Sequence, residues 1–126
     1  MKREHVDVNE QLGFTQIVSV EKGGLKTLYI SGQTGSSEDL KAQSIEAFTS
    51  LKNLLDAAGA KPSDLVKFTI YVVDYSPDKA RDAFAGMAVL GIDPKAPPAA
   101  TLIGVQGLFM PELQIEVEAV AVVDTQ

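Results

Sequence analysis

Three short stretches of the chain combine residue types that could do chemistry. Ser31-Gly32-Gln33, followed by Gly35, ends a run of strand-forming residues. That places a hydroxyl beside exposed backbone amides at a sheet edge, an arrangement suited to a carboxylate, although a plain strand-to-loop turn would use the same residues. Glu116 and Glu118 stand two apart in an apolar alternating run and therefore share one face. A carboxyl group drawn out of water there acquires a raised pKa and can act as general acid or base, or hold a water; it can equally accept hydrogen bonds from a neighbouring subunit. In Pro97-Pro98-Ala99-Ala100-Thr101 two prolines stiffen the entry to a strand, so that methyl groups and the Thr101 hydroxyl would be presented with little entropy loss.

The rest of the inventory is sparse. With no cysteine there are no disulfides, thiolate nucleophiles or thiolate metal sites, and the single histidine, His5, makes an imidazole-based triad or a zinc site a poor expectation. Neither a metal nor a cofactor is expected. The glycine pairs match neither a P-loop nor a dinucleotide fingerprint. Seventeen acidic against eleven basic residues leave a net charge of −6, with the cations scattered, so nucleic acid is not an expected partner. The N-terminus lacks an apolar signal core and no run is long enough to span a bilayer, so the expectation is a cytoplasmic protein without membrane contact.

The length of 126 residues, 45% of them hydrophobic, suits one domain over residues 1–126. Period-two alternation predicts strands at 15–20 and 25–31, joined as a hairpin at Gly23-Gly24. A helix is expected at 39–58, with Leu40, Ile45, Phe48, Leu51, Leu54 and Leu55 as its buried stripe, Ser37 or Asp39 as its cap and Gly59 as its stop. Further strands are expected at 65–73, 101–105 and 113–123, and a second helix at 78–89 with Phe84, Met87 and Ala88 inward. The order ββαβαββ implies an α+β fold: a mixed sheet with two helices on one face and parallel neighbours across each βαβ stretch. Val120 and Val122 give the opposite face apolar character, which another subunit would cover.

Together, Ser31-Gly32-Gln33, the 53–59 helix end, the strand from Val66 to Asp74, Pro98-Ala99 and the run from Ile115 to Ala121 resemble the Rid family, the YjgF-like reactive intermediate deaminases. The resemblance implies a chorismate-mutase-like fold, a homotrimer and small-molecule ligands bound in inter-subunit clefts. It also implies cofactor-free hydrolysis of enamines or imines to a carbonyl compound and ammonia. It assigns ligand contact to Phe14, Ser31, Gly32 and Ala100, and water positioning to Glu116; Thr101, the nearest polar group after the two prolines, joins them as a ligand-contact candidate. Two departures stand out: Phe14 replaces a tyrosine, and Ala100 replaces the arginine that grips a substrate carboxylate. Loss of such a charge-assisted pair costs about 2 to 5 kcal/mol, so 2-imino acids should bind poorly and a neutral or aromatic ligand better. A ligand-binding trimer without catalysis is the alternative, and the ribonuclease role attached to some relatives is opposed by the negative charge.

Overall fold

The computed structural model describes all residues, 1–126. In chain order the elements are β1 (Lys2–Asn9), β2 (Phe14–Lys22), β3 (Leu25–Gln33), α1 (Leu40–Ala57), β4 (Leu65–Val73), α2 (Ala80–Phe84), β5 (Ala99–Val105) and β6 (Ile115–Asp124). The strands form one mixed sheet in the order β1-β2-β3-β6-β4-β5, antiparallel except for the β4/β5 pair. The expected parallel neighbours therefore meet once. β6 inserts between β3 and β4, antiparallel to both, so the most apolar strand has both of its edges paired.

The β2/β3 hairpin closes as the sequence requires: Gly23 and Gly24 both have positive φ, 61° and 82°, the backbone of a two-residue turn that matches strand twist. α1 starts where Asp39 accepts a hydrogen bond from the Ala42 amide at 2.7 Å. Removing this cap in Asp39→Ala should lower stability by about 1 kcal/mol, read as a shift in urea midpoint at unchanged slope.

Two helical expectations need correction. Ile45 lies on the exposed side of α1, because Gln43 and Ser44 take core positions beside Leu40, Ala47, Phe48 and Leu51. Both buried polar groups are satisfied, as they must be. The Gln43 amide donates to the carbonyls of Ser37 and Glu112 and accepts from the Gln114 amide, while the Ser44 hydroxyl donates to the Ala83 carbonyl and accepts from the Gly86 amide. The helix expected at 78–89 is only five α-helical residues, flanked by 3₁₀ turns at Pro77–Lys79 and Ala85–Leu90. Its buried residues are Ala83, Gly86 and Leu90; Phe84 and Ala88 face out, and Met87 is half-buried. The cause is close approach to α1: a Cβ at Gly86 would collide with the Ser44 carbonyl, and the tighter turns keep this glycine inward.

β1 adds a strand the sequence pattern does not announce. Seven of its eight residues are exposed, and it is held by its antiparallel ladder to β2. His5 sits there, in the open, with Nδ1 3.4 Å from the Thr15 hydroxyl.

The helices cover one sheet face. Ile115, Val117, Ala119 and Ala121 of β6, with Phe68, Ile70 and Val72 of β4, bury against α1, where Phe48 meets Phe68 edge-to-face at 5.7 Å between ring centres. Glu116, Glu118 and Val120 point the other way, as their alternation requires, onto a face that no helix covers and where Tyr29 is 52% exposed.

Candidate functional site

The ladder between β3 and β6 is regular up to Ile30/Ala119 and resumes at Gln33/Val117, so Ser31 and Gly32 occupy an irregularity that frees them from strict pairing. Three hydrogen bonds of Gln33 fix this bulge from below. Its buried amide nitrogen donates to the Ser31 carbonyl at 2.9 Å and to the Gln16 side chain at 2.8 Å, and its oxygen accepts from the Ser50 hydroxyl of α1 at 2.7 Å. The Ser31 hydroxyl in turn donates to the Thr15 carbonyl, which leaves its oxygen lone pairs available to a ligand or water.

Gly32 is present for space rather than for an unusual dihedral angle. A Cβ at this position would overlap the Glu116 carboxylate, so the glycine is what lets that side chain lie across the bulge. The Glu116 carboxyl is pushed above the usual carboxylate range, first by burial and then by the neighbouring charge of Glu118. Glu118 accepts a hydrogen bond from the Tyr71 hydroxyl, and that bond, with burial and the two carboxylates, pushes Tyr71 up to about 12. The two glutamates thus differ in setting: Glu118 is tied to a phenol, whereas the Glu116 carboxyl has no such partner and faces a cleft.

That cleft has a volume of about 420 Å³. Ser31, Gly32 and Glu116 form its floor; Leu12, Phe14 and Leu113 contribute apolar walls, with Phe109 standing 74% exposed at one side. No lysine, arginine or histidine lines it. An apolar recess with one carboxyl of raised pKa and one hydroxyl acceptor can bind a small, largely uncharged molecule and exchange a proton with it.

Four of the six expected site residues, Phe14, Ser31, Gly32 and Glu116, meet in this cleft. Ala100 and Thr101 do not join them within one chain, because β4 lies between β5 and β6. Ala100 aligns with Phe68, on the helix side; Thr101 aligns with Thr69, on the uncovered side, where its hydroxyl accepts from the Lys67 ammonium. Neither arginine lines the cleft: Arg3 lies on β1 and Arg81 on α2, both exposed. Sequence reasoning did not identify the wall residues Leu12, Phe109 and Leu113, nor Gln33 as the support of the bulge. For Phe109 a signal existed, a large apolar residue inside a Gly/Pro turn; for Gln33 the signal was its place directly after Ser-Gly.

Comparison with known proteins agrees with this architecture. The family model for endoribonuclease L-PSP matches residues 12–123. A RutC family protein from Aquifex aeolicus is 33% identical over 116 residues, covering 82% of this chain and 85% of that protein. A Rid-family protein of unknown function from Yersinia pestis is 34% identical, with a TM-score of 0.69 and coverage of 98% and 100% of the two chains. A member of the YjgF/YER057c/UK114 family from Mycobacterium tuberculosis is 28% identical, with a TM-score of 0.78 and coverage of 97% and 100%. With a family model spanning nearly its whole length and relatives of this similarity, the chain belongs to the Rid family of RutC- and YjgF-like proteins.

Proposed function

We propose that this Rid-family protein binds a small imine or enamine in the cleft over Gly32 and hydrolyses it to a carbonyl compound and ammonia. The observation that carries this reading is the Glu116 carboxyl, held over Gly32, raised in pKa by burial and opening onto an apolar recess. Such a group holds its proton to a higher pH than an ordinary carboxylate does. In the acid form it protonates the imine nitrogen; as carboxylate it takes a proton from the water that attacks the carbon. The resulting carbinolamine takes that proton from Glu116 onto its nitrogen and loses its C–N bond, so the nitrogen leaves as ammonia while the hydroxyl proton returns to the Glu116 carboxylate. One water is consumed, and no electron changes hands.

The absence of any lysine, arginine or histidine from the cleft lining argues against two other ligand classes. Within one chain a carboxylate substrate has no partner there, and phosphate-backbone recognition needs clustered cations, which a chain of net charge −6 with no cation in the cleft lining does not offer. The test is ammonia release from an imine generated in situ by an amine-oxidising enzyme, with and without the protein. Acceleration is expected, and equal rates would refute the reading. Ala100→Arg should raise hydrolysis of 2-imino acids about tenfold or more by restoring a charge-assisted pair. No gain would mean that residue 100 does not reach the ligand in the assembled protein.

The same reading assigns the uncovered sheet face to other copies of the chain, in a homotrimer that would carry Ala100 and Thr101 of one subunit to the cleft of another. Tyr29 and Val120 on that face supply apolar area suited to such contact. Light scattering at micromolar concentration should give three times the chain mass of 13.4 kDa; a monomer would remove this part of the proposal.

A further inference from the structure

The cleft is not closed on its far side. Beyond Phe109 a second recess, of about 720 Å³, runs between α1 and the 107–113 turn, and the two recesses share Thr34, Phe109 and Leu113 as common walls. Their chemistry differs. The first is apolar around Glu116, whereas the second presents the hydroxyl and amide groups of Thr34, Ser36, Thr49 and Asn53, with Glu112 at its rim. Glu46 also lines it, but its carboxylate is occupied by the Ser36 and Ser37 amides and the Ser37 hydroxyl, which hold the 34–37 wall in place. Glu112 makes no side-chain ion pair and stands exposed. Within one chain neither recess is lined by a cation.

We infer that the two recesses form one continuous two-part groove, whose ligand has an aromatic or apolar imine-bearing head over Glu116 and a polar, uncharged or ammonium-bearing arm that passes Phe109 into the second recess. The inference rests on the proposed imine chemistry for the position of the head, and it adds the substrate class. The head stacks among Phe14, Leu12 and Phe109, which offer apolar surface and nothing to pair with an anion. An ammonium arm that passes the exposed Phe109 ring enters a recess that Glu112 also lines, and an aromatic ring and a carboxylate both favour a cation. A carboxylate arm meets the same carboxylate and is repelled.

Calorimetric titration with three stable ketones that differ only in the arm separates these cases: acetophenone, 4-(aminomethyl)acetophenone and 4-acetylbenzoate. The ammonium-bearing ketone is expected to bind about fivefold more tightly than acetophenone, and 4-acetylbenzoate about tenfold more weakly. In Glu112→Gln the ammonium preference should fall to within about twofold. Equal affinities for all three ketones, tighter binding of 4-acetylbenzoate, or an ammonium preference that survives Glu112→Gln would overturn the inference. Turnover of the corresponding imines is measured in parallel. Ketones that bind in the expected order without hydrolysis of any imine leave the groove assignment standing and remove the hydrolytic reading; hydrolysis without that order does the reverse.

Discussion

Glu116→Gln is expected to reduce kcat for imine hydrolysis by about 10²- to 10⁴-fold, the range supplied by a positioned general acid–base group. The amide keeps the shape of the side chain over Gly32 but can neither give up nor take the proton, so binding of an unreactive ketone should change little while turnover collapses. The same substitution should raise stability at neutral pH. Glu116 has a folded-state pKa above its unfolded value, so its proton is bound more tightly in the folded chain and the wild type loses stability as pH rises through the folded pKa. The glutamine variant does not lose it. Its advantage should therefore appear at pH 7 and vanish below about pH 4, where both states of the wild type are protonated. Solvent access to a half-buried group keeps the gain below about 1 kcal/mol. A variant that is less active yet more stable is the signature of a carboxyl placed for chemistry; equal loss of both would mark it as structural. Thermal melts at pH 4 and pH 7, run beside the kinetics, check both halves.

Gly32→Ala should lower kcat/KM about 10²-fold with almost no change in melting temperature. The atoms that a new methyl group would strike belong to the outer end of the Glu116 side chain, not to backbone. A flexible side chain swings aside at little cost to stability, but the carboxyl then leaves its position over the bulge, and displacements of about 1 Å at a reacting group cost rate on the order of 10²-fold. By contrast, a methyl group at Gly86 meets the Ser44 carbonyl, and Gly86→Ala should destabilise the fold directly. The pair distinguishes a glycine kept for the site from one kept for packing. Retention of full activity in Gly32→Ala would show that the Glu116 position seen here is not the working one.

Much of this site was legible in the chain because the strands that carry it are half-buried. β6 alternates so strictly that its sequence alone puts Ile115, Val117, Ala119 and Ala121 on one face and Glu116 and Glu118 on the other, and the first set is the buried one. Phe14, Ser31, Gly32 and Glu116 line one recess of the chain. What stayed hidden has physical causes. β1 buries almost nothing, so it leaves no apolar period to find; its ladder alone makes it a strand. Gln43, Ser44 and Gln33 are polar groups in the interior, and a reading based on apolar spacing assigns such residues to the surface. Hence apolar spacing places Ile45 inward and does not mark Gln33 as the support of the bulge. Ala100 and Thr101 show a different limit. They follow directly on Pro98-Ala99, but strand order, set by β6 entering between β3 and β4, separates them from the cleft within one chain.

The Gln33 amide has a consequence for how this protein can change. It fastens the floor of the cleft to α1 through Ser50, so the floor's geometry is held by the same packing that holds the core. The side walls have no such tie: Leu12, Phe14 and Phe109 are all exposed large apolar residues, two of them outside any strand or helix. Selection can therefore exchange wall side chains that stability barely registers, while the arrangement of Ser31, Gly32 and Glu116 is inherited unaltered. A scaffold divided in this way can acquire a new substrate without first being destabilised.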